Sequence, residues 1–409
     1  MKIAIIGGGA AGFFAAIQAK THFPDALVNL FEKTNKPLAK VKVSGGGRCN
    51  VTNAIDDLEV LAAGYPRGGR PLRKAFYHFN NQDTIRWFES RGVQLHTEAD
   101  LRMFPVSNNS QTIIDCLYRE VQKLGIGLRI KTPIQQIEPH QARFLLTGPA
   151  VNEYYDRVIV ATGGSPKRSG LDWLANLGHR IEDPVPSLFT FNMPKHPITE
   201  LMGVVAPNAH VKIAGTKLRS EGPLLITHWG MSGPAILKLS AFGARILAQK
   251  NYQFEALVDW SGLGNHQHLE ADLETLIERN GPKKLVNVRP LQLPDRLWRF
   301  LLNKAQLSPD RKWDELGRKG FHQLLNLLGN DSYPVKGKTT FKEEFVTCGG
   351  VSLKSINFKT MESKVVPGLF FAGEVIDVDG ITGGYNFQAA WTTAFIAGQS
   401  VGFSKGGKE

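Results

Sequence analysis

Glycine spacing carries the most legible chemistry in this chain. Gly7, Gly9 and Gly12 form G-x-G-x-x-G, with Ala10 and Ala11 among the spacers, directly after the apolar run 3–6. Gly7 permits a tight turn, Gly9 lets the backbone approach a pyrophosphate, and Gly12 lets a helix pack closely on a strand. The pyrophosphate would sit on the unpaired N–H groups of that helix start, where the helix dipole favours negative charge. Glu32 follows twenty positions after Gly12, at the end of a second apolar run, 26–31. Its carboxylate can accept hydrogen bonds from ribose hydroxyls. Together these residues point to a dinucleotide cofactor without separating NAD from FAD.

Four later stretches repeat the glycine theme: S-G-G-G-R-C-N at 44–50, A-T-G-G at 161–164, A-G-E at 372–374 and T-G-G-Y-N-F-Q at 382–388. Gly45 to Gly47 read as backbone passing so close to a flat ring that side chains are excluded, with Lys40, Lys42 and Arg48 able to meet phosphates. Apolar Val41, Val43 and Val51 around this loop argue against a plain surface linker. Glu374 at a strand end can hold sugar-alcohol hydroxyls. An alanine-rich helix is expected over 386–399, after Tyr385; its start, aimed at flavin O2 and N1, would stabilise the anion of reduced flavin by ~0.3–1 kcal/mol at exposed sites.

The elements that must position these residues are predicted as follows. A buried strand at 3–6 leads into a small-residue helix carrying Ala15, Ala16 and Ala19. Helical patterns cover 72–79, 81–91 and a stripe from Ile113 to Leu124, with Ser110 as N-cap and Gly125 as stop. Strand patterns cover 127–131, 135–138, 142–146 and 154–160. From about Pro186 the alternation of SLFTFNM, HVKIAG and YQFEALVDW suggests antiparallel strands of a barrel or sandwich. Pro234 marks the first turn of a helix capped by Ser232 or Gly233, helices follow at 266–279, 294–304 and 313–328, and 329–340 reads as a polar linker. The expected organisation is an α/β protein: a discontinuous Rossmann-type dinucleotide-binding domain, 1–189 and 341–409, which the resemblance below implies is an FAD-binding domain, interrupted by an inserted domain, 190–340. The insert holds an antiparallel β-barrel at about 190–260 and helices at about 261–330.

Composition narrows the class. At 409 residues the chain exceeds what one hydrophobic core usually serves. No apolar run approaches the ~20 residues of a membrane span. The three cysteines, Cys49, Cys116 and Cys348, lack C-x-x-C spacing, so neither a disulfide pair nor a zinc site is expected. The first strand begins at Lys2 and leaves no room for a cleavable leader, which suggests a reduced, cytoplasmic protein. A net charge of +12, densest at Arg67, Arg70, Arg73 and Lys74, reads first as a solvated basic surface that attracts an anionic cofactor. RNA is the alternative partner.

For catalysis the residues offer Thr227, His228 and Tyr385 as groups facing a substrate, His228 because histidine is the side chain most used as a general acid or base. Asp377 and Asp379 are weaker acid–base candidates that could equally cap backbone turns, and Cys49 reads as a steric fit beside a flavin ahead of a reactive thiol. There is no second G-x-G-x-x-G for a separate nicotinamide domain. The first reading is hydride transfer through a flavin to a small organic substrate held between the two domains, with NAD(P)H or oxygen as second partner. An RNA-associated flavoprotein and a non-catalytic flavin sensor are the alternatives.

The long motifs S-G-G-G-R-C-N-V-T-N, T-H-W-G-M-S-G-P and A-G-E-V-I-D-V-D-G-I-T-G-G-Y-N-F-Q resemble the bacterial NAD(P)/FAD-dependent oxidoreductases known as YhiN-like or aminoacetone-oxidase-like flavoproteins. Their FAD domain is glutathione-reductase-like, and the resemblance runs nearly end to end. It implies tightly bound, non-covalent FAD, with NAD(P)H as a transient reductant. The implied FAD contacts are Gly7, Gly9, Ala10, Ala11, Gly12, Glu32, Lys33, Lys40, Gly46, Gly47, Arg48, Cys49, Asn50, Ala161, Thr162, Gly163, Gly373, Glu374, Gly383, Gly384, Tyr385, Asn386 and Gln388. Two departures stand out: Ala39-Lys40-Val41 replaces a glycine-lysine-lysine, and Asn109-Ser110 replaces a lysine and a small residue.

Overall fold

The computed structural model describes residues 1–340 and 346–403. The chain forms two compact units, one built from 1–187 and 342–409, the other from 188–341.

The first unit is organised on five parallel strands. Lys2–Ile6 (β1) lies in the middle, flanked by Leu27–Phe31 (β2) and by Arg157–Val160. Gly127–Arg129 extends the sheet beyond β2, and Leu369–Phe371 extends it beyond Arg157–Val160. Short antiparallel strands Glu362–Ser363 and Ile356–Asn357 finish that edge. The parallel strands are apolar because helices cover both faces of such a sheet. Helix Ala10–His22 (α1) packs along the C-terminal helix Tyr385–Ser400, and small residues set the spacing. A Cβ on Gly398 would stand 2.6 Å from the Gln18 Cβ and 2.8 Å from the Ala15 carbonyl oxygen.

The expected strand 154–160 is two strands. Val151–Tyr155 closes an antiparallel meander with Gln136–His140 and Arg143–Gly148, whereas Arg157–Val160 belongs to the parallel sheet. Asp156 makes the break, its carboxylate accepting the Lys2 backbone N–H at 2.7 Å. Ser110 stands at the expected N-cap position, but its side chain caps nothing there. Its hydroxyl instead donates to the Lys42 carbonyl at 2.8 Å and its N–H to the Gly47 carbonyl at 2.9 Å, tying this helix to the triple-glycine loop.

In the second unit, seven strands run in the order Asp331–Lys336, Gln253–Asp259, Val205–Ile213, Arg219–Thr227, Gly230–Ser232, Thr190–Asn192, Lys338–Thr339. The first and last are separated only by Gly337, so the same stretch of chain lies on both edges and the sheet curls round as a barrel. This corrects the reading of 329–340 as a linker. Asp331, Tyr333 and Val335 are buried at alternate positions, a strand period masked by Pro334 and Gly337. Pro234–Gln249 begins behind Gly233 with proline in its first turn. Three further helices, His266–Asn280, Asp295–Lys304 and Gly317–Gly329, complete this unit's core around Trp260, Trp298 and Trp313.

Candidate functional site: a glycine-lined nucleotide cradle

Parallel strand register brings the distant glycine motifs side by side. Ile6 pairs with Val160, so the turns leaving β1 and Arg157–Val160 emerge together. A Cβ on Gly7 would lie 2.3 Å from the Ala161 carbonyl oxygen, and the Gly7 φ of +116° is one that side chains rarely adopt. A Cβ on Gly12 would lie 1.8 Å from the Gly7 carbonyl oxygen. These two glycines let the backbone pack on itself. Gly9, Gly46, Gly47 and Gly163 behave differently: a Cβ on any of them would meet no protein atom within 4 Å. Their Cβ positions face open space, as those of the turn glycines Gly92, Gly125, Gly203, Gly215 and Gly317 also do.

Both helices that start at this site lack a side-chain cap. Gly9 is the N-cap of α1 and Gly384 that of Tyr385–Ser400. Their first-turn N–H groups therefore stay available to an anion. Glu32 accepts N–H bonds from Gly8 at 2.9 Å and Thr34 at 2.7 Å. A carboxylate has about four lone-pair sites, so two bonds leave capacity for hydroxyl donors. Lys40 pairs with Glu374 at 2.8 Å, and the other Glu374 oxygen accepts the Thr347 N–H at 2.8 Å. Gly164 packs against both Glu374 and Thr347, and Gly373 (φ +73°) against Ala11. The site thus gathers 7–12, Glu32, Lys40, 161–164 and 373–374. Lys33 and Thr162 are exposed at its margin, and Ala10 is half-buried.

The 44–50 and 383–388 segments are joined through two short strands, Thr52–Asn53 and Arg102–Pro105. With its amide oriented to satisfy both ends, Asn50 donates to Thr52 and Met103 carbonyls and accepts the Gly384 N–H at 2.9 Å. Gly384 approaches the Thr52 carbonyl so closely that a Cβ would sit 2.3 Å from it. Gln388 is wholly buried; its carbonyl accepts hydroxyls from Thr52 at 2.7 Å and Thr84 at 2.9 Å, and its amide donates to Thr392. Asn386 closes a loop on Gly380, with bonds of 2.9 and 3.0 Å. Gln388 and Asn386 therefore hold the turn in place through their side chains. Cys49 is fully buried, and burial pushes its thiol up to about 12 against a weaker opposing bond from Ser44.

Of the acid–base candidates, Tyr385 lies in the first unit, buried against Gly64 and Tyr65, and burial raises its phenol above the usual range. Its carbonyl accepts the Tyr65 hydroxyl at 2.7 Å. Thr227 and His228 lie in the second unit, on the hairpin between Arg219–Thr227 and Gly230–Ser232. The Thr227 hydroxyl donates to the Gly230 carbonyl at 3.3 Å, and His228 is exposed beside Trp229, ring centroids 4.4 Å apart. Asp379 does not cap a turn. It is buried, paired with Arg67 through Nε at 2.6 Å and through Nη2, and bonded by the Ser187 hydroxyl. Burial pushes its carboxyl up, opposed by the Arg67 guanidinium. Arg67 is accordingly not part of a solvated basic cluster. Asp377 is also buried, its N–H donating to the Val351 carbonyl.

Residues that the glycine patterns did not reveal complete the neighbourhood. Phe104 lies against Gly45, and the Arg48 guanidinium lies 4.0 Å from the centre of its ring. Arg102 stands 5.4 Å from the same ring, and both arginines bond Glu98, at 2.6 and 2.7 Å. The alternation in L-R-M-F-P was the available signal.

The HI0933-like protein Rossmann domain matches residues 1–400. The chain belongs to this family. Its members are FAD-binding flavoproteins, and the Rossmann-type FAD fold and flavoprotein oxidoreductase class read from the motifs hold for this chain. The ribosomal RNA dihydrouridine synthase of Haemophilus influenzae is 30% identical over 97% of both chains. The 3-dehydro-bile acid delta(4,6)-reductase of Clostridium scindens is 26% identical over 98% of both. Among solved structures, the 3-ketosteroid delta1-dehydrogenase of Sterolibacterium denitrificans in complex with 1,4-androstadiene-3,17-dione shares the fold: TM-score 0.50, 13% identity, 98% of both chains. Among the described residues no helix is long and apolar enough to cross a membrane.

Proposed function

We propose that this flavoprotein reduces a carbon–carbon double bond conjugated to a carbonyl, and that its substrate is uridine within RNA. The observation that carries the reading is agreement in bond type between relatives with different substrates. Making dihydrouridine adds a hydride and a proton across the uracil C5=C6 bond, which is conjugated to the C4 carbonyl. A delta(4,6)-reductase acting on a 3-dehydro bile acid addresses double bonds conjugated to the 3-carbonyl. The motifs by themselves suit a small organic substrate. The 30% identical relative's name moves the reading to a polyanion, which a net charge of +12 suits. A steroid-like dienone is the second reading, favoured by the 26% identical relative.

In this reading the N–H groups at the start of α1 hold the FAD pyrophosphate, Glu32 holds the adenosine ribose, and Glu374 with Lys40 holds the ribityl and phosphate end. The backbone of 45–47 and 383–384 lines the ring. The open Cβ positions of Gly9, Gly46, Gly47 and Gly163, all in the glycine motifs, support this fit. FAD, when bound, supplies a two-electron carrier that takes hydride from a reductant and returns it to an acceptor. NADH or NADPH is the proposed reductant, passing through without a domain of its own.

The test is anaerobic incubation of the FAD-loaded protein with a ribosomal RNA transcript and NADH or NADPH, followed by nucleoside mass spectrometry. Dihydrouridine accumulating with the flavin turning over supports the RNA reading, and binding should weaken steeply with salt as phosphate contacts do. Reduction of a 4,6-dien-3-one with no dihydrouridine supports the second reading. Reduction of neither overturns both.

A further inference from the structure

Adding hydride to the β-carbon of a conjugated carbonyl pushes the C=C electron pair toward oxygen. The substrate gains two electrons, an enolate oxygen forms, and a proton from water then completes the α-carbon. A site for this reaction needs donors that meet developing charge on that oxygen. Arginine suits the role, because it stays charged and presents several N–H groups in a fixed fork.

Arg48 and Arg102 are the cations best placed for it. Arg48 follows the triple-glycine loop directly, and the Arg102 side chain lies beside Gly383, whose Cβ would be 3.9 Å from the Arg102 Cγ. The strand carrying Arg102 is fastened to the Gly384 turn through Asn50. The pair therefore spans the two glycine turns that line the flavin ring in the proposed reading. Glu98 clamps both guanidinia, one on each carboxylate oxygen, and Phe104 lies under them. Asp100 takes the Arg102 Nε. After these bonds, Arg48 Nε and Nη2 and Arg102 Nη1 have no partner among the described residues. The side chains are 34% and 38% exposed, so a ligand can reach them.

We propose that Arg48 and Arg102 form an oxyanion site that receives the carbonyl oxygen of the substrate, with Glu98 as the positioning residue that sets their spacing. This rests on the conjugated-bond reading, but its test does not require turnover. The probe is 4-chlorophenolate, a flat ring bearing an anionic oxygen, titrated into the FAD-loaded protein. Stacking on oxidised flavin gives a long-wavelength charge-transfer band that reports its binding.

Arg48→Ala and Arg102→Ala should each weaken the probe roughly 10- to 100-fold, the range for hydrogen bonds to a charged group, and Arg102→Ala should do so with FAD affinity retained. Arg102→Lys should recover part of the loss. Glu98→Gln, which loses the clamp that sets their spacing, should also weaken the probe, by less than either arginine variant and with FAD affinity and the urea midpoint retained. A purely structural role for the cluster predicts that FAD affinity and the urea midpoint fall together with the probe in Glu98→Gln. No saturable band in the wild-type protein, or an unchanged band in Arg102→Ala, overturns the assignment. If the probe behaves as expected while no conjugated carbonyl is reduced, the oxyanion site stands and the reaction reading falls. If conjugated carbonyls are reduced and Arg102→Ala binds the probe normally, the arginine assignment falls alone.

Discussion

Gly9→Ala separates a glycine needed by a ligand from one needed by the fold. Gly9 has φ −91° and ψ −172°, an extended conformation that alanine adopts readily. Its Cβ would meet no protein atom within 4 Å. As an N-cap replacement it should cost the apoprotein about 1 kcal/mol or less. The added methyl would project where the pyrophosphate must lie, and overfilling a close-packed contact costs about 1–3 kcal/mol. That corresponds to a roughly 5- to 150-fold weaker FAD dissociation constant. Gly7→Ala is the control. Its Cβ would overlap the Ala161 carbonyl oxygen at 2.3 Å and its φ is +116°, so the apoprotein itself should lose about 3 kcal/mol or more. The assay is urea unfolding of both apoproteins beside FAD titration followed by quenching of flavin fluorescence. Gly9→Ala with wild-type FAD affinity, or an apoprotein as damaged as Gly7→Ala, would refute the reasoning.

Arg67→Ala leaves the Asp379 carboxylate buried without its cation, and unfolding free energy should fall by about 3–5 kcal/mol; a loss below 1 kcal/mol in urea melts would mean that the pair is not buried in solution. Buried His179 accepts the Ser363 hydroxyl at 2.7 Å, and burial holds its imidazole below the usual pKa. The unfolded chain then takes up protons that the folded one refuses, so stability is full above about pH 6.5 and is lost on acidification below it. His179→Gln should flatten that slope in melts between neutral and mildly acidic pH, leaving the part due to His196, which burial also depresses. Cys49 and Cys116 are held as thiols by burial, at about 12 and about 11. Iodoacetamide at neutral pH should leave both unmodified until denaturant is added, and rapid alkylation of Cys49 in the native protein would contradict its burial.

The nucleotide half was legible because its glycines serve local geometry. G-x-G-x-x-G with Glu32 states a strand, a turn and a helix within a few dozen residues, and A-T-G-G and A-G-E end neighbouring parallel strands. What composition concealed depends on pairing across long separations. Asp331–Lys336 looked like linker because its alternation matters only once the strand pairs with Gln253–Asp259. Arg67 looked like surface charge because its partner, Asp379, stands 312 positions away. The amides of Asn386 and Gln388 bond neighbouring backbone and hydroxyls, a role that a short motif does not show and that spares wholly buried Gln388 the cost of an unpaired amide. The Arg48–Glu98–Arg102 cluster leaves no sequence signal, because no spacing rule links residues on a loop and a separate hairpin.

Single-turnover reoxidation tests the central claim most directly. The FAD-loaded protein is reduced photochemically without oxygen, freed of reductant and mixed with a ribosomal RNA transcript while the oxidised-flavin band is followed. The expected result is return of that band with one dihydrouridine formed per flavin. Flavin that stays reduced in the presence of both RNA and a conjugated dienone, and reoxidises only when air is admitted, would contradict it.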